Sequence, residues 1–429
     1  MNIRTPYTYP QFPLRRFVHE MTDGPFGSAL TSSHYSDEGA RVVRLGNIGS
    51  ARFKDADAAF IPMFYFRELR RHEVKPGDLL IAGLGDDRHP VGRACIAPDH
   101  LGPAIVKADC YRVRLDENRL THRFAAWALG SSTVSDQVSA STRGSTRSRI
   151  NLEVAREIRL PVPPLEEQRR IADFLDAETA LVDALSTARD AQVRCLEELW
   201  VSRLAHRVET WIAAHDLVPL RRVVESVEQG WSPQCDDIIA APSEWAVLKT
   251  SAVSSGVFKP LEHKRLPDDI SPDLRYQIAD GDIIMTRGSG SPEHVGIPTV
   301  AHPDGRRLLL SDLLYRIRMS QGWSSEFTSL ILRSQPVRGF MALLFRGQSG
   351  QTIKLRADDI RSIDLPAVPI HLQAQYATDL LKERQALSSA VAALRKSSAL
   401  LAERRQALIT AAVTGQIDVS TASGRGIEE

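Results

Sequence analysis

Two hydrophobic periods divide the chain between them. Tyr111, Val113 and Leu115 alternate with Arg112 and Arg114, and Tyr315, Ile317 and Met319 alternate with Arg316 and Arg318. A repeat of two puts alternate side chains on opposite faces of a strand, so each segment predicts a strand with one buried and one wet face. The other period is helical. From Leu165 to about Ala214 there is neither Gly nor Pro, and Ile171, Phe174, Leu175, Val182, Leu185, Val193, Leu196, Trp200 and Leu204 recur at helix spacing. Leu380, Leu387, Leu394, Leu401 and Leu408 are seven apart, the period of a coiled-coil seam. Arg384, Ser398 and Arg405 weaken the alternate seam positions, so the natural partner for this helix is the first long helix. At ~1.5 Å per residue, helices of this length span very roughly 60 to 75 Å.

The patterns come twice. Pro76-Gly77-Asp78-Leu79-Leu80 returns as Asp280-Gly281-Asp282-Ile283-Ile284, Val91-Gly92 as Val295-Gly296, and Tyr111-Arg112-Val113-Arg114 as Tyr315-Arg316-Ile317-Arg318, always 204 residues on. Pro13-Leu14-Arg15-Arg16 and Leu160-Pro161 recur with slips of one or two residues as Pro219-Leu220-Arg221-Arg222 and Leu365-Pro366. Units this long are whole domains in tandem, not solenoid repeats. Each reads as short strands, the alternating strand, a helical stretch (about Thr121 to Ser139, and Ser324 to Leu344), a polar loop and a strand ending in prolines. The fold class is α+β: two mixed α/β heads, each followed by a long helix, with the helices packed as an antiparallel coiled coil. The expected bounds are 1–164 for the first head, 165–215 for its helix, 216–370 for the second head, 371–413 for its helix and 414–429 for a tail.

Composition narrows the class. In 429 residues, 43% hydrophobic and 25% charged, no run approaches the ~18 apolar residues of a membrane span, and the polar, Pro-rich start is no signal peptide, so a cytoplasmic protein is expected. Cys95, Cys110, Cys195 and Cys235 are scattered without ligand spacing and read as plain thiols, with no metal site. The net charge of +1 says nothing about nucleic acid, but residues 101–150 and 331–361 each carry a local excess of four positive charges, at the same place in both copies.

Catalytic motifs are missing. Gly83-Leu84-Gly85 and Gly288-Ser289-Gly290 do not continue as dinucleotide or P-loop signatures, and no methyltransferase or nuclease signature appears. Duplicated heads without catalysis favour recognition. The loop Arg143-Gly144-Ser145-Thr146-Arg147-Ser148-Arg149 offers residue types that hydrogen-bond phosphates and purine edges, and Arg346-Gly347-Gln348-Ser349-Gly350-Gln351-Thr352 matches it. The candidate DNA contacts are therefore Arg143, Thr146, Arg147 and Arg149 in the first head and Arg346, Gln348, Gln351 and Lys354 in the second. Ser28, Lys54, Arg88, Arg93, Lys259, Lys264 and Arg287 rank below them. Asp23-Gly24-Pro25-Phe26-Gly27-Ser28, which contains Ser28, has its counterpart in Gly230-Trp231-Ser232-Pro233.

In this order of head, prolines and long helix, twice over, the chain resembles the specificity subunit of a type I restriction-modification system. The resemblance spans nearly the whole chain. It rests on Asp23 to Ser28, on Gly77-Asp78 and Gly281-Asp282, on Leu160-Pro161-Val162-Pro163-Pro164-Leu165-Glu166-Glu167-Gln168 leading to Ile171-Ala172-Asp173-Phe174-Leu175-Asp176, and on the ending Arg404-Arg405-Gln406-Ala407-Leu408-Ile409-Thr410. It implies two target-recognition domains, each reading half of a bipartite double-stranded DNA sequence, with the helices as a ruler. It also implies two methyltransferase subunits that use S-adenosylmethionine and two ATP- and Mg-dependent restriction subunits as partners, this chain binding no cofactor and doing no chemistry. The rivals are a coiled-coil scaffold whose heads bind protein, an enzyme acting on nucleic acid, and a specificity subunit of another DNA-methylating phage-defence system.

Overall fold

A computed structural model describes residues 9–86, 89–141, 148–347 and 352–419. The chain forms two compact units: residues 1–190 with 396–429, and residues 191–395. The long helices, Leu165–Ala214 and Ile370–Thr414, each contribute to both units.

In the first unit an antiparallel sheet runs in the order Val18–Thr22, Cys110–Leu115, Leu79–Ala82, Ala94–Ile96. A second sheet sets Ala40–Val43 parallel to Ala104–Val106 and flanks them with Phe60–Ile61 and Glu73–Val74. Gln11–Pro13 pairs with Arg159–Pro161, so the prolines that close the head also tie down its first strand. The second unit repeats the scheme with Val224–Gln229, Leu314–Met319, Ile283–Thr286 and Pro298–Val300, a three-stranded sheet around Trp245–Leu248, and Leu217–Pro219 paired with Asp364–Pro366.

The expected wet face of the alternating strand is covered. Leu79, Ile81, Tyr111 and Val113 enter one hydrophobic cluster, whereas Leu80, Ala82, Cys95 and Cys110 meet Val43, Ala104 and Val106 on the other side. Arg112 and Arg316 are thereby among the most buried side chains, at 2% and 1% exposure. Burying a guanidinium costs less the more of its donors are used, and Arg112 leaves only its Nε with neither a hydrogen-bond nor an ion-pair partner. Arg112 donates to Glu20 (2.8 Å) and to the Arg71 carbonyl (3.3 Å), and Arg316 to Glu228 and the Arg275 carbonyl (2.8 Å). Arg114 and Arg318 join through Asp78 and Asp282, at 2.8 and 3.1 Å. The repeated Gly-Asp pair acquires a reason here. Gly77 and Gly281 take positive φ, at 85° and 82°, and the aspartate that follows caps its own turn by accepting from Lys75 or Ala279.

The helical stretch after the sheet is two helices in each head, His122–Leu129 with Ser132–Ser141, and Ser325–Arg333 with Gln335–Leu343. Buried Ser131 and Ser334 interrupt them by donating to Ala128 and Ile331 carbonyls, each at 2.7 Å.

Neither head closes its core alone. The first takes Ile171, Ala172 and Leu175, with Phe174 beside them, from the start of one long helix, and Ile409, Ala412 and Val413 from the end of the other. The second takes Ala377 and Leu380 from the start of the second long helix, and Leu204, Val208 and Trp211 from the end of the first. Within each unit the two helix segments run antiparallel. Asp183 pairs with Arg405 (3.0 Å) and Arg189 with the Ser397 carbonyl (3.3 Å) in one, and Glu197 with Arg395 (2.7 Å) and Arg203 with Glu383 in the other. The seam is uneven. Val182 and Leu380 are buried and Leu408 lies against the first head's core, while Leu196, Leu387, Leu394 and Leu401 are half-buried. Leu185 is 43% exposed, a correction to its assignment as a packing residue.

A buried glutamine joins helix to head in both copies. Gln168 accepts from the Thr121 amide (2.8 Å) and donates to the Pro163 and Arg119 carbonyls (2.9 and 3.0 Å). Gln373 accepts from the Ser324 amide (2.9 Å) and donates to the Val368 carbonyl (2.7 Å). Orphaning such buried groups costs about 1–3 kcal/mol each, so Gln168→Ala and Gln373→Ala are each expected to lower stability by about 3 kcal/mol in denaturant titrations. A loss within about 0.5 kcal/mol, the range of ordinary surface substitutions, contradicts the joint.

Candidate nucleic-acid interface

The two glycine loops and the two polar loops meet. In the first head the Gly85 amide donates to the Ser148 carbonyl and the Ile150 amide to the Gly83 carbonyl, both at 2.9 Å, with Leu84 bridged to Arg149. In the second, Gly288–Ser289 pairs with Ile353–Lys354, and Arg346 and Lys354 exchange backbone hydrogen bonds. Tyr111 and Tyr315 brace this edge from below, their hydroxyls donating to the Ile150 and Leu355 carbonyls. The glycine loops are thus strand-edge anchors for the polar loops, not phosphate cradles.

Arg149 is the described end of the first loop. Its guanidinium pairs with Asp109 at 2.8 Å and lies over the half-exposed Phe26 ring, 5.9 Å from the centroid. Arg149, Phe26, Tyr111 and Asp23 line an open cavity of about 730 Å³. Gly24 has a backbone reason: a Cβ there would come within 2.1 Å of the Lys107 carbonyl carbon, and one at Gly230 within 2.2 Å of the Leu310 oxygen. The start of the motif Asp23 to Ser28 is therefore held against the turn Lys107 to Asp109, between the strands Ala104–Val106 and Cys110–Leu115. Its counterpart uses other residues at the same junction: Ser232 bonds to Asp312, and Arg287 donates to the Asp312 carbonyl at 3.4 Å.

The remaining candidates divide. Ser28 is exposed on a short 3-10 turn, Gly27–Ala29. Lys54 and Lys259 are exposed and occupy equivalent positions, their amides donating to the Asn47 and Ala252 carbonyls at 2.8 and 3.0 Å. Lys264 lies 3.9 Å from Asp237. Arg346 and Lys354 are exposed, with Arg346 3.8 Å from Asp359. Arg93 has a different part. It is 7% exposed, and its three guanidinium nitrogens donate to the Ile48, Leu45, Leu84, His89 and Pro90 carbonyls, so it is an internal strut and not a surface contact, which corrects its candidacy. Arg88, Arg143, Thr146, Arg147, Gln348 and Gln351 lie outside the described residues.

Several exposed groups escaped the sequence reading. Phe64 is 65% exposed on the helix Met63–Glu68, and Ile238 and Ile239 are exposed at 53% and 64%. Lys107 lies over the Tyr35 ring, 5.7 Å from the centroid. An apolar residue in a short turn carries no sequence mark that it faces water. Among the described residues no group of acids, histidines and cysteines is placed to hold a metal ion, and no helix is long and apolar enough to cross a membrane. Cys95 and Cys110 are buried, and burial pushes the Cys95 thiol up to about 12.

Two heads of one design, each holding the end of a polar loop at a glycine edge, define a tandem two-headed protein. Residues 74–194 match the family described as Type I restriction modification DNA specificity domain. The chain is 25% identical over 355 residues to the type I restriction enzyme EcoKI specificity subunit of Escherichia coli (strain K12), covering 80% of this chain and 75% of that protein. It is 29% identical over 154 residues to the EcoEI specificity subunit of Escherichia coli, 35% of this chain and 26% of that one. A solved chain described under complex assembly and conformational transition of the type I R-M system shares the fold, with TM-score 0.71 at 16% identity, over 96% of this chain and all of that one. By these matches the chain is similar to type I restriction-modification specificity subunits in sequence and in fold.

Asp23 supplies a test of the pocket. Burial pushes its carboxyl up to about 6, although the Gly24 and Asp109 amides donate to it at 2.7 and 2.9 Å. A folded value above the unfolded one means that ionisation costs stability above pH 6, a cost relieved as pH falls toward the ordinary carboxylate value. Asp23→Asn keeps an acceptor without the charge. It is expected to unfold at higher temperature than the parent at pH 7.5, with the gap narrowing below about pH 6 and closing near about pH 4. A gap independent of pH contradicts the burial argument.

Proposed function

We propose that this chain is the DNA-reading subunit of a type I restriction-modification complex, each head reading one half of a split duplex sequence. The observation that carries the reading is the duplicated basic loop, pinned in both heads to the same glycine edge. In this reading Arg147, Arg149, Arg346 and Lys354 meet phosphates and base edges, and Phe26 beside Arg149 supplies an apolar contact at the same rim. Reading both halves from one side of the duplex needs head centres roughly one DNA turn apart, about 35 Å. The paired helices act as an antiparallel coiled-coil ruler that sets this gap. Two methyltransferase subunits using S-adenosylmethionine, and two ATP-dependent restriction subunits, would supply the chemistry around the pseudo-twofold scaffold, in the cytoplasm where the DNA is.

The decisive experiment is to co-express the chain with its methyltransferase subunit in an unmodified host and map methylated bases. A split motif of two short defined halves around a fixed gap is expected, and no new methylation from an associated complex shifts the reading to a protein-binding scaffold. Two variants refine it. Lys354→Ala or Arg147→Ala is expected to weaken binding of the assembled complex, with a salt slope smaller by about one per lost phosphate contact. Unchanged affinity at moderate salt in both contradicts the loop assignment. For the ruler, matched four-residue insertions after Ala188 and after Ser397 keep the helices in register through the Arg189 contact. Each adds about 6 Å, close to two base-pair steps, so the accepted gap is expected to change or methylation to cease. An unaltered motif rules out the ruler.

A further inference from the structure

The two heads differ at one internal place in a way that their sheets do not. Arg333, at the end of the helix Ser325–Arg333, and Arg384, on the second long helix, both donate to the Gly256 carbonyl, Arg384 at 3.2 Å. Gly256 takes φ +69°, and a Cβ there would come within 2.6 Å of the Arg333 guanidinium, so the loop is shaped to that side chain. Neither guanidinium makes an ion pair with a described carboxylate. Glu326 and Asp304 share the lining, but Glu326 accepts from the Ser324 hydroxyl at 3.1 Å, and the nearby His302 pairs with Asp280 at 2.9 Å. Burial, then the neighbouring Arg384, lowers Arg333 to about 10, and burial lowers Arg384 too, but a guanidinium keeps its charge inside proteins. Two cations set against one carbonyl oxygen leave positive charge uncompensated in a half-buried site, an arrangement whose missing component is an anion.

In the first head an arginine of the second long helix also reaches this loop, Arg405 at the Ser50 carbonyl (3.4 Å), but its guanidinium is paired with Asp183 at 3.0 Å. Positions 205 residues earlier than Gly256 and Arg384 are Ala51, also at positive φ, and the buried Thr179, and the place of Arg333 falls to Gly130. Only the second head sets two arginines at the loop and leaves both without a carboxylate. The arginines border a cavity of about 260 Å³ whose lining includes the buried hydroxyls of Thr299 and Ser329. Guanidinium forks beside hydroxyl donors match a tetrahedral oxyanion. We propose that the second head binds a small phosphate-type oxyanion between Arg333 and Arg384, and that the bound anion fastens the second long helix to the head.

The test uses the full chain and inorganic phosphate at constant ionic strength made up with chloride. Phosphate is expected to raise the unfolding temperature in a saturable manner and to broaden the ³¹P resonance, and sulfate to compete. Arg384→Thr, which copies the first head, is expected to be at least as stable as the parent in chloride, to lose the phosphate response, and to fall below the parent in saturating phosphate. Should that variant not fold, Arg333→Lys serves in its place, with a response at least tenfold weaker because the fork is lost. Adenosine monophosphate distinguishes a free phosphate site from one that takes a phosphate monoester. A parent with no phosphate response beyond the chloride control, or a response retained in full by Arg384→Thr, overturns the proposal.

Discussion

Each head is an open core until helix segments cover it. The strands and short helices of the first head leave an apolar face that Ile171 and Leu175 cover from one side of the sequence and Ile409, Ala412 and Val413 from the other. The second head is completed by Leu380 from its own following helix and Leu204, Val208 and Trp211 from the preceding one. At roughly 25 cal/mol per Å² of apolar surface removed from water, closing such a face is a major part of what lets a head of this size hold together. The rest depends on it: the glutamine joints, the antiparallel run of the helices within each unit, and the alignment of each sheet edge that presents a loop.

The duplication was legible because the residues that recur carry backbone or burial requirements. Gly77 and Gly281 are needed for positive φ, Asp78 and Asp282 to cap that turn and hold Arg114 and Arg318, and Gly24 and Gly230 for close backbone approach. The long helices were legible from their lack of Gly and Pro. What did not show was how their residues are shared out, because a heptad count registers apolar spacing and not the partner. Of the arginines that interrupt the seam, Arg384 turns to Gly256 in its head, and Arg405 divides between Asp183 on the partner helix and the Ser50 carbonyl and Trp127 ring of the first head.

The alternating strand misled for a related reason. A period of two says which residues share a face and not whether that face meets water, and the sheet that covers it takes Ala40–Val43 and Glu73–Val74 from more than thirty positions before Arg112. Arg112 and Arg316 therefore read as surface charges and are interior ones. Arg93 misled likewise, since nothing in its neighbours announces five carbonyls converging on it. The loop arginines are the reverse case. Their chemistry was legible from composition, and their anchorage to the glycine edge follows from strand pairing at long range.

The glutamine joint has a consequence for how such a protein can change. Gln168 and Gln373 bind almost wholly to main-chain groups: an amide at the cap of the head's first helix after the sheet, and the carbonyl of the proline-rich turn. A joint that reads backbone and not side chains accepts any head that reproduces the same turn. A head that kept this turn and the apolar face covered by the helices would stay fastened in the same way, so the exposed loops are free to vary in sequence without loosening the frame.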